Sequence, residues 1–467
     1  MKKILLINPP LYYSDGIPHS LDATVPPLGP LYIASYINKY SNDFKAEIID
    51  VGVEGVDLND MKERILASRP FVVGIYSMTP QLQGTLELAR FIKNRISDKI
   101  KIFLGGPHIS ADSGFIDRNS NLFDYAITGE GEKTFLDSIN KLASGEEIPR
   151  IIESEIINDI DSIPFPDRKL IIREKYRKSE SMLFSRGCPY SCYYCSRPSI
   201  SNKVRYRSVK NLIEEIKLCY NYCDGHINFQ DDTFTLNKKQ VMDFCNEMEK
   251  EKLQLHWECN TRIDLVDPEL LAAMKRAGCE LIHFGIESGN ERVRKEIILK
   301  GNFTNQRIYE VFEMCKQYKI KVACYFMIGH PTETKDELSD TRNMILKSGI
   351  DVLGLSIPFP FPGSRLYDIA LQEGIISTEI IDQFAEKKLG EGYSGNYPIY
   401  VSDGIEREYL FNMMKDINRK FYFSFRILWA RLMQDIISPG RLKSDMIDLF
   451  FMITQGTSSR KPYKNSK

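Results

Sequence analysis

Short apolar runs alternate with longer amphipathic stretches through the first 145 residues. The runs have the length and composition of buried strands, and the stretches between them carry apolar residues at helical spacing. Strands that alternate with helices predict a parallel sheet covered by helices on both faces. The sequence therefore predicts an α/β domain over residues 1–145, with a doubly wound, Rossmann-like sheet. The predicted strands are Lys3–Asn8, Ala46–Val51, Phe71–Ser77, Lys101–Gly105 and Tyr125–Thr128, and the predicted helices are Gly29–Lys39, Leu58–Ser68, Gln81–Ser97 and Lys133–Ala143.

A second alternation of strands and helices begins at Met182. Six strand-like runs separated by helical stretches are typical of a parallel barrel, and loops after the strands of such barrels carry the chemistry. The predicted strands are Met182–Ser185, His226–Gln230, Leu255–Asn260, Leu281–Gly285, Lys321–Ile328 and Val352–Ile357. We assign residues 181–369 to this second domain. Residues 146–180, which are rich in charge and broken by prolines, are predicted to be a linker.

Residues 370–467 differ in character from both alternating regions. Helical pieces and an aromatic, basic run over Arg419–Arg431 predict a mostly helical segment that caps the second domain. Lipid contact through this run is an alternative. The polar, basic tail Ser458–Lys467 is predicted to be disordered.

Composition narrows the classes of protein to be considered. A chain of 467 residues is long enough for two or three domains, and its net charge of −1 argues against nucleic-acid binding. All ten cysteines lie between Cys188 and Cys324, a distribution unlike that of a secreted disulfide scaffold. The N-terminus lacks the pattern of a signal peptide, and no run is long and apolar enough to span a bilayer. We expect a reducing cytoplasm.

Three cysteines share one short loop, Ser185–Arg197. Cys188, Cys192 and Cys195 are spaced Cys-x3-Cys-x2-Cys. Thiolates this close together can hold three irons of one [4Fe–4S] cluster and leave the fourth iron open to a small molecule. The alternatives are a zinc site and ordinary core cysteines. Structural zinc sites usually require four ligands in paired spacings, and no fourth ligand lies nearby in the sequence.

The cysteine run, with Tyr194 just before its last cysteine, resembles the signature of the radical S-adenosylmethionine (radical SAM) enzymes. The resemblance implies that SAM binds the open iron and is cleaved to a 5′-deoxyadenosyl radical. The loops that follow the later strands of residues 181–369 resemble the same family. The cysteine run and these loops together supply the candidate SAM-binding residues, which are Tyr194, Asp232, Arg262, Glu287, Ser288, Gly329 and Glu333.

Three of these candidates also have a simpler interpretation. Asp232 can bind ribose hydroxyls or substrate, or be a solvated acid near a helix N-terminus. Arg262 can pair with the carboxylate of SAM, or with Glu258 or Asp264. Glu333 lies in a pattern that the family places near the adenine, but a first-turn helix acid is also favoured there by the dipole.

Glycine- and proline-rich loops follow the predicted strands of the first domain. Such loops let backbone amides approach a large ligand, although ordinary turns use the same residues. Together they resemble the N-terminal cobalamin-binding domain of one large class of radical SAM enzymes. The Asp-x-His-x-x-Gly motif is missing, so the resemblance implies that no histidine ligates cobalt and that His108 contacts the nucleotide tail or a loop. The candidate cobalamin-binding residues are Asn8, Pro9, Ser77, Thr79, Gly105, Gly106, His108, Gly129 and Glu130.

The remaining cysteines and several histidines are expected to be structural. Cys219 and Cys223 lie on one helix face, but without further ligands they are expected to be buried. The same holds for Cys245, Cys259, Cys279, Cys315 and Cys324. His226, His256 and His283 fall in strand-like runs and are expected to be satisfied core side chains.

The resemblance to cobalamin-dependent radical SAM enzymes covers roughly the first 370 residues. It implies a [4Fe–4S] cluster, SAM and cobalamin, and methylation of an unactivated carbon or phosphorus in a small-molecule or lipid-like substrate. It also implies a reducing partner such as flavodoxin or ferredoxin. A cyclase or oxidative enzyme of the same class, and a corrinoid or electron carrier without chemistry, are the alternatives. A tRNA methylthiotransferase would need N-terminal cysteines, and residues 1–187 contain none.

Overall fold

The computed structural model describes residues 1–14, 17–19, 26–176, 179–197, 200–223, 225–386, 399–402 and 404–429. The strands are β1 Lys2–Asn8, β2 Tyr12–Ser14, β3 Ile17–His19, β4 Phe44–Asp50, β5 Val72–Tyr76, β6 Lys101–Gly105, β7 Tyr125–Thr128, β8 Ile151–Glu153, β9 Glu180–Met182, β10 Ser185–Arg186, β11 Arg205–Tyr206, β12 His226–Phe229, β13 His256–Thr261, β14 Cys279–Glu287, β15 Lys321–Met327 and β16 Val352–Ser356. The helices are α1 Leu28–Tyr40, α2 Val51–Glu54, α3 Leu58–Ser68, α4 Leu82–Phe91, α5 Pro107–Ala111, α6 Phe115–Arg118, α7 Glu132–Ala143, α8 Val209–Cys219, α9 Lys238–Glu251, α10 Pro268–Arg276, α11 Asn305–Gln317, α12 Lys335–Lys347, α13 Arg365–Gln372, α14 Ile380–Ala385 and α15 Arg407–Tyr422.

The first sheet is parallel and has the strand order β4-β1-β5-β6-β7-β8. Central strand β1 is apolar on both faces, as buried parallel strands are. Leu5 and Ile7 pack into one core, and Ile4 and Leu6 pack into the core on the other face. The strand order reverses between β1 and β5, and doubly wound sheets bind ligands at the carboxyl ends of the strands beside such a reversal. The doubly wound fold expected for the first domain is confirmed.

Two strands of the structure include residues of the predicted linker, 146–180. Ile151–Glu153 forms β8, which pairs in parallel with β7 and extends the first sheet by a sixth strand. Glu180 opens β9, the first strand of the second sheet. Sequence patterning missed β8 because the strand has only three residues and none of them is fully buried.

The second sheet is an open partial barrel of six parallel strands. Its strands β9, β12, β13, β14, β15 and β16 are neighbours in chain order. Helices α8 to α12 follow the strands in turn and pack on one face of the sheet, where Phe229, Trp257 and Phe284 are buried. The partial (β/α)6 barrel predicted from the sequence is confirmed.

The C-terminal segment divides between the two domains. In α14, Phe384 packs into the core of the first domain, and its carbonyl accepts a hydrogen bond from Gln83 Nε2 at 3.0 Å. Helix α15 lies against the barrel, where Asp416 pairs with Arg342 of α12 at 3.1 Å. Among the described residues of this segment, α15 packs against the barrel and α14 packs against the first domain. Residues 430–467, including the tail predicted to be disordered, lie outside the described residues.

Part of the aromatic run over Arg419–Arg431 supports the packing interpretation. Phe421 is buried in the barrel core, whereas Phe425 and Trp429 are exposed and stack on each other with ring centroids 5.9 Å apart. In the part of the chain that the structure describes, we find no helix that is long and apolar enough to cross a membrane.

Candidate functional site

The cysteine loop connects the two strands of a short antiparallel ladder that the sequence did not predict. β10 and β11 pair Arg186 with Arg205, and the loop between them carries the three cysteines. Gly187 has φ +94°, and a Cβ atom there would collide with the carbonyl oxygen of Lys203. Only glycine therefore fits at this position, where the chain turns away from the ladder toward the cysteines.

The three loop cysteines differ from the other seven. Cys188, Cys192 and Cys195 are partly exposed, whereas all the others are buried, as the sequence predicted. Burial raises the pKa of Cys195 to about 11 and also raises that of Cys192, where Lys300 and Arg262 oppose the shift. Thiols with raised pKa values become thiolates when a metal binds them.

This donor set fits an iron–sulfur cluster. Within the described ranges, no three His, Cys, Asp or Glu side chains surround a point where one metal ion would be held. A cluster does not require such a point, because each thiolate binds a different iron.

Two adjacent tyrosines of the cysteine loop point to different partners. Tyr194 donates a hydrogen bond to Oε1 of Glu287 at 2.8 Å. The hydroxyl of Tyr193 lies 2.6 Å from Nδ1 of the buried His330, and the two tyrosine rings are perpendicular. The loop is thus joined to the ends of β14 and β15, so that candidate SAM residues from three parts of the sequence meet beside the cysteines.

Glu287 occupies a strained position at the end of β14. Its φ is +71°, a left-handed conformation that is uncommon for residues other than glycine. Arg294, which is fully buried, donates to the carbonyl oxygen of Ser288 at 2.6 Å and so holds the next residue of the turn. The hydroxyl of Ser288 lies 3.1 Å from that of Thr341 on α12. These contacts hold Ser288, the residue that follows Glu287 in the turn.

Lys300 is a residue of the site that sequence reasoning missed. Its Nζ donates to Oε1 of Glu287 at 2.6 Å, and both side chains are less than a tenth exposed. A Cβ atom on Gly285 would collide with this ammonium group, so the glycine leaves room for it. The available signal was a single cation between the apolar run Ile297–Leu299 and a glycine, which is weak evidence by itself.

Arg262 and Asp232 are already paired with residues of the chain. Arg262 donates to both carboxylate oxygens of Asp264, at 3.0 and 2.8 Å, and to the carbonyl oxygen of Lys300. Its guanidinium also lies 3.9 Å from the ring centroid of Tyr190 in the cysteine loop. Asp232 accepts from Nε of Arg197 at 2.7 Å. The simpler interpretation of Arg262, a pair with Asp264, therefore describes the structure.

The turn after β15 contains a buried carboxyl group with one unused oxygen. Oε2 of Glu333 accepts the backbone amides of Gly329 at 2.7 Å and His330 at 2.9 Å, and Gly329 has φ +92°. Oε1 of Glu333 is buried without a partner, and burial raises the pKa of this carboxyl to about 8. A buried oxygen that lacks a partner is consistent with a bound polar group.

The loops at the carboxyl edge of the first sheet form one connected network. Asn8 donates to Asp50 at 3.2 Å, and Gln81 donates to Oδ1 of Asn8 at 3.1 Å and to the carbonyl of Pro9 at 2.8 Å. Tyr176 holds the other oxygen of Asp50 at 2.7 Å. The sequence did not single out Gln81, Asp50 or Tyr176, because isolated polar residues are common in loops.

The next two loops of this edge follow β5 and β6, and His108 lies just after β6. The side chain of His108 is almost fully buried. Its Nδ1 is 3.1 Å from the hydroxyl of Thr79, and its Nε2 is buried without a partner. The hydroxyl of Ser77 pairs with that of Thr85 at 2.8 Å. Gly106 has φ +103°, and a Cβ atom there would lie 2.7 Å from the carbonyl oxygen of Ser77. Gly105 ends β6 with open space around its Cα. The open backbone and the unpartnered ring nitrogen fit a large ligand at this edge.

The last loop of the edge faces the cysteine ladder. Gly129 has φ +79°, and its amide donates to the hydroxyl of Ser110 at 2.8 Å. Both carboxylate oxygens of Glu130 are taken by Arg205 of β11. The cobalamin candidate Glu130 therefore uses its side chain to contact the second domain, which brings the two candidate sites next to each other.

The strand histidines differ from the expectation of a core position. Nε2 of His283 lies 3.2 Å from Glu258, and its Nδ1 lies 3.1 Å from the hydroxyl of Tyr325. His256 is exposed and pairs with Glu280 at 2.6 Å. Because side chains alternate along a strand, these residues point to the open face of the barrel sheet, opposite the helices. When apolar residues alternate with histidine along a strand, the sequence pattern alone does not show whether the face that carries the histidines is buried or open.

Family models match regions of both domains of this chain. A model described as the radical SAM superfamily matches residues 182–345, and one described as the B12 binding domain matches residues 17–138. An uncharacterized methyltransferase, PH0819 of Pyrococcus horikoshii, is 32% identical over 80% of this chain and 84% of its own length. This chain belongs to the cobalamin-dependent radical SAM family. It is an enzyme whose cofactors are a [4Fe–4S] cluster, SAM and cobalamin.

Two further comparisons describe the range of the family. The anaerobic magnesium-protoporphyrin IX monomethyl ester cyclase of Rubrivivax gelatinosus is 24% identical over 90% of this chain and 78% of its own length. The methyltransferase TsrM of Kitasatospora setae, solved with tryptophan and a SAM analogue, superposes with a TM-score of 0.66. That match has 18% identity and covers 81% of this chain and 77% of TsrM, so it shows a shared fold. A TsrM structure with cobalamin and a [4Fe–4S] cluster gives a TM-score of 0.64, with 17% identity over 81% of this chain and 76% of TsrM.

Proposed function

We propose that this protein is a cobalamin-dependent radical SAM methyltransferase that acts on an unactivated carbon or phosphorus of a small molecule. One observation carries the proposal. The cysteine ladder touches the carboxyl edge of the first sheet through Glu130 and Arg205, so the two proposed cofactor sites are neighbours. Adjacent sites favour transfer of a group between the two cofactors. The similarity to the Pyrococcus methyltransferase supports the same reaction.

We infer that Cys188, Cys192 and Cys195 hold three irons and that Glu287 and Lys300 bind the amino acid part of SAM. That part is a zwitterion, so it needs an acceptor for its ammonium group and a donor for its carboxylate. Glu287 and Lys300 provide both charges in one buried pair, and Tyr194 fixes the position of the Glu287 carboxylate. The wall of the proposed SAM site is formed by Asp232, Arg262, Ser288, Gly329 and Glu333. Arg262 contributes by packing against the ring of Tyr190.

The first domain binds cobalamin in this proposal. The open space at Gly105 admits the ligand, and the positive φ angles of Gly106 and Gly129 shape the turns beside it. Hydrogen bonds fix Asn8, Pro9, Ser77 and Thr79 around the ligand. The buried Nε2 of His108 is a partner for the nucleotide tail or a nearby loop. When bound, the cofactors supply a 5′-deoxyadenosyl radical and a transferable methyl group. The chain positions them and excludes water from the region between them.

Further parts of the proposal concern partners and surroundings. A cluster that must be reduced before each turnover requires an electron donor, and a flavodoxin or ferredoxin is the class that fits. Ten free cysteines fit a reducing cytoplasm. The net charge of −1 disfavours a nucleic-acid substrate.

A second candidate function is cyclisation or oxidation without methyl transfer, which the similarity to the Rubrivivax cyclase favours. The experiment is to reconstitute the protein anaerobically with iron, sulfide and cobalamin and to incubate it with methyl-labelled SAM, a reductant and a metabolite extract. A methyltransferase forms 5′-deoxyadenosine, S-adenosylhomocysteine and a labelled product. A cyclase forms 5′-deoxyadenosine without S-adenosylhomocysteine or label, which would overturn the proposal. A carrier forms none of the three and would also overturn it.

The control for this experiment is a variant that removes the cluster without disturbing the first domain. The triple substitution Cys188→Ala, Cys192→Ala and Cys195→Ala is expected to abolish SAM cleavage and the brown cluster absorbance. Cobalamin uptake is expected to remain, because all three thiols lie in the second domain. The matched control is Cys245→Ala, Cys315→Ala and Cys324→Ala, which removes three buried cysteines away from the loop.

A further inference from the structure

Two arginines at the base of the cysteine loop bind two glutamates of the first domain. Arg186 donates to Oε1 of Glu132 at 2.7 Å, and its guanidinium is 3.5 Å from Oε2 of Glu130. Arg205 binds both oxygens of Glu130. We call these four residues the Arg–Glu clasp. The two arginines face each other across the β10–β11 ladder, and Arg186 is two residues from Cys188.

The Arg–Glu clasp is buried and electrically neutral. The side chains of its four members are between 5% and 12% exposed. The guanidinium of Arg186 also lies 4.8 Å from the ring centroid of Tyr32 on α1, and Arg205 donates to the carbonyl of Ile157 at 2.6 Å. Both arginines are therefore held from several directions. Planar guanidinium groups in such sites fix orientation more strictly than a point charge would.

The opposite side of the ladder is held by the barrel itself. The buried Asp231 at the end of β12 accepts the amides of Phe184 and Ser185, at 3.0 and 2.5 Å, and the hydroxyl of Ser185. The base of the cysteine loop is thus anchored to the barrel on one side and to the first domain on the other. Movement of the first domain would therefore pull on the residues that lead into Cys188.

The same loop of the first domain serves both sites. Gly129 and Gly131 flank Glu130, and Gly129 belongs to the strand end proposed for cobalamin. Its amide is held by Ser110, and the amide of Glu130 is held by the hydroxyl of Ser154 at 2.7 Å. Glu132 begins α7, so its carboxylate is fixed at the helix N-terminus. One short segment therefore joins the corrinoid edge of the first sheet to the ladder that carries the cysteines.

We propose that the Arg–Glu clasp sets the distance and orientation between the iron–sulfur cluster and the corrinoid, and that its four residues are positioning residues for transfer between them. A buried ion pair adds little net stability compared with apolar side chains of similar size, but it permits only one arrangement of its partners. An interface that needed only adhesion could be apolar. The inference depends on both cofactors being bound, and it is independent of the substrate and of whether a methyl group is transferred.

The test measures the separation of the two cofactors directly. Protein loaded with cluster and cobalamin is reduced until the cluster and cob(II)alamin are both paramagnetic. Pulsed electron paramagnetic resonance then gives the relaxation enhancement that the fast-relaxing cluster imposes on the cobalt spin. Two variants are compared with the parent protein. Glu132→Gln removes the negative charge of one glutamate, and Arg186→Lys keeps the positive charge but lacks the planar guanidinium group. Iron and cobalamin contents are measured on the same samples.

The matched control removes a carboxylate at the start of β7, the strand whose other end leads to Glu130 and Glu132. Asp124 immediately precedes β7 and pairs with Lys93 at 2.7 Å and Lys101 at 2.8 Å, at the amino edge of the sheet. Asp124→Asn therefore breaks a partly buried ion-pair group of the first domain away from the clasp.

The proposal predicts that the relaxation enhancement falls or spreads into a distribution in Glu132→Gln and Arg186→Lys, with iron and cobalamin contents unchanged. Asp124→Asn is expected to keep the enhancement of the parent protein. Unchanged enhancement in both clasp variants would overturn the proposal, as would an equal loss in Asp124→Asn. Failure of both clasp variants to load cobalamin would also overturn it, in favour of a direct role in ligand binding.

Discussion

The ammonium group of Lys300 lies 2.6 Å from the carboxylate of Glu287, buried beside the cysteine loop. The two residues come from different turns, and Glu287 adopts a left-handed backbone conformation where the pair forms. Strain of this kind costs about 1–3 kcal/mol and persists where the surroundings hold it. Here the surroundings are Tyr194, which donates to the same oxygen, and Arg294, which holds the next residue. The pair is the feature of the proposed SAM site that the structure adds to the sequence.

Lys300→Met is expected to weaken SAM binding by about tenfold or more. Loss of a hydrogen bond to a charged group costs about 1.5–3 kcal/mol, and the variant also leaves Glu287 without its buried cation. Equilibrium binding of SAM to the cluster-loaded protein measures the effect. Lys295→Met changes an exposed lysine nearby and serves as the matched control. Equal affinities in the two variants would remove Lys300 from the SAM site.

Tyr194→Phe and Tyr193→Phe form a matched pair, because each deletes one hydroxyl from adjacent positions of the same loop. Tyr194→Phe removes a donor to Glu287 and is expected to weaken SAM binding several-fold. Tyr193→Phe removes the contact with buried His330, so it is expected to lower the free energy of unfolding by about 1 kcal/mol and to leave SAM binding almost unchanged. Titration calorimetry and denaturant unfolding separate the two effects. The reverse pattern would show that Tyr193 faces the ligand.

Glu333→Gln is expected to change how stability depends on pH. Burial raises the pKa of Glu333 to about 8, so the folded state keeps a proton that the unfolded state loses above about pH 4.5. This group therefore lowers the free energy of unfolding as pH rises from about 4.5 to 8, by about 1.4 kcal/mol per pH unit, and adds no further slope above pH 8. Glutamine lacks this titration and still accepts the two backbone amides.

Denaturant unfolding of both proteins from pH 5 to pH 9 measures the difference. The stability of Glu333→Gln relative to the parent is expected to increase up to about pH 8 and then to level off. The comparison cancels other groups, such as His108 and His330, whose pKa values burial lowers to about 4. A constant difference across the range would show that Glu333 is ionised in the folded protein at neutral pH.

Cob(II)alamin bound to this protein is expected to show no nitrogen splitting from a protein histidine in its electron paramagnetic resonance spectrum. His108 lies at the start of one of the proposed corrinoid loops, and its ring is almost fully buried, with an edge contact to Phe115. His108→Ala is therefore expected to lower cobalamin affinity and to leave the cobalt spectrum unchanged. A triplet splitting that disappears in His108→Ala would show that the histidine binds the metal.

Strand and helix bounds in long periodic segments followed from the sequence. Leu58–Ser68 was predicted at the bounds observed, because an amphipathic helix with a clear cap has a strong period. β8 and the β10–β11 ladder were missed, since elements of two or three residues have no period to detect.

The candidate site was predicted less completely than the fold. Motif positions such as Tyr194 and Glu287 do lie together, because loops after parallel strands meet at one edge of the sheet. Lys300 and Arg186 could not be assigned, since an isolated cation gives no indication of its partner. The partner of Glu130 could not be predicted either, because it is an arginine of another domain.

The most direct test of this account is Mössbauer spectroscopy of protein reconstituted anaerobically with ⁵⁷Fe, recorded with and without SAM. If three thiolates hold three irons of a [4Fe–4S] cluster, one iron is expected to change its isomer shift and quadrupole splitting when SAM is added, while the other three are unaffected. Four equivalent irons that do not respond to SAM, or zinc in place of iron, would contradict the account.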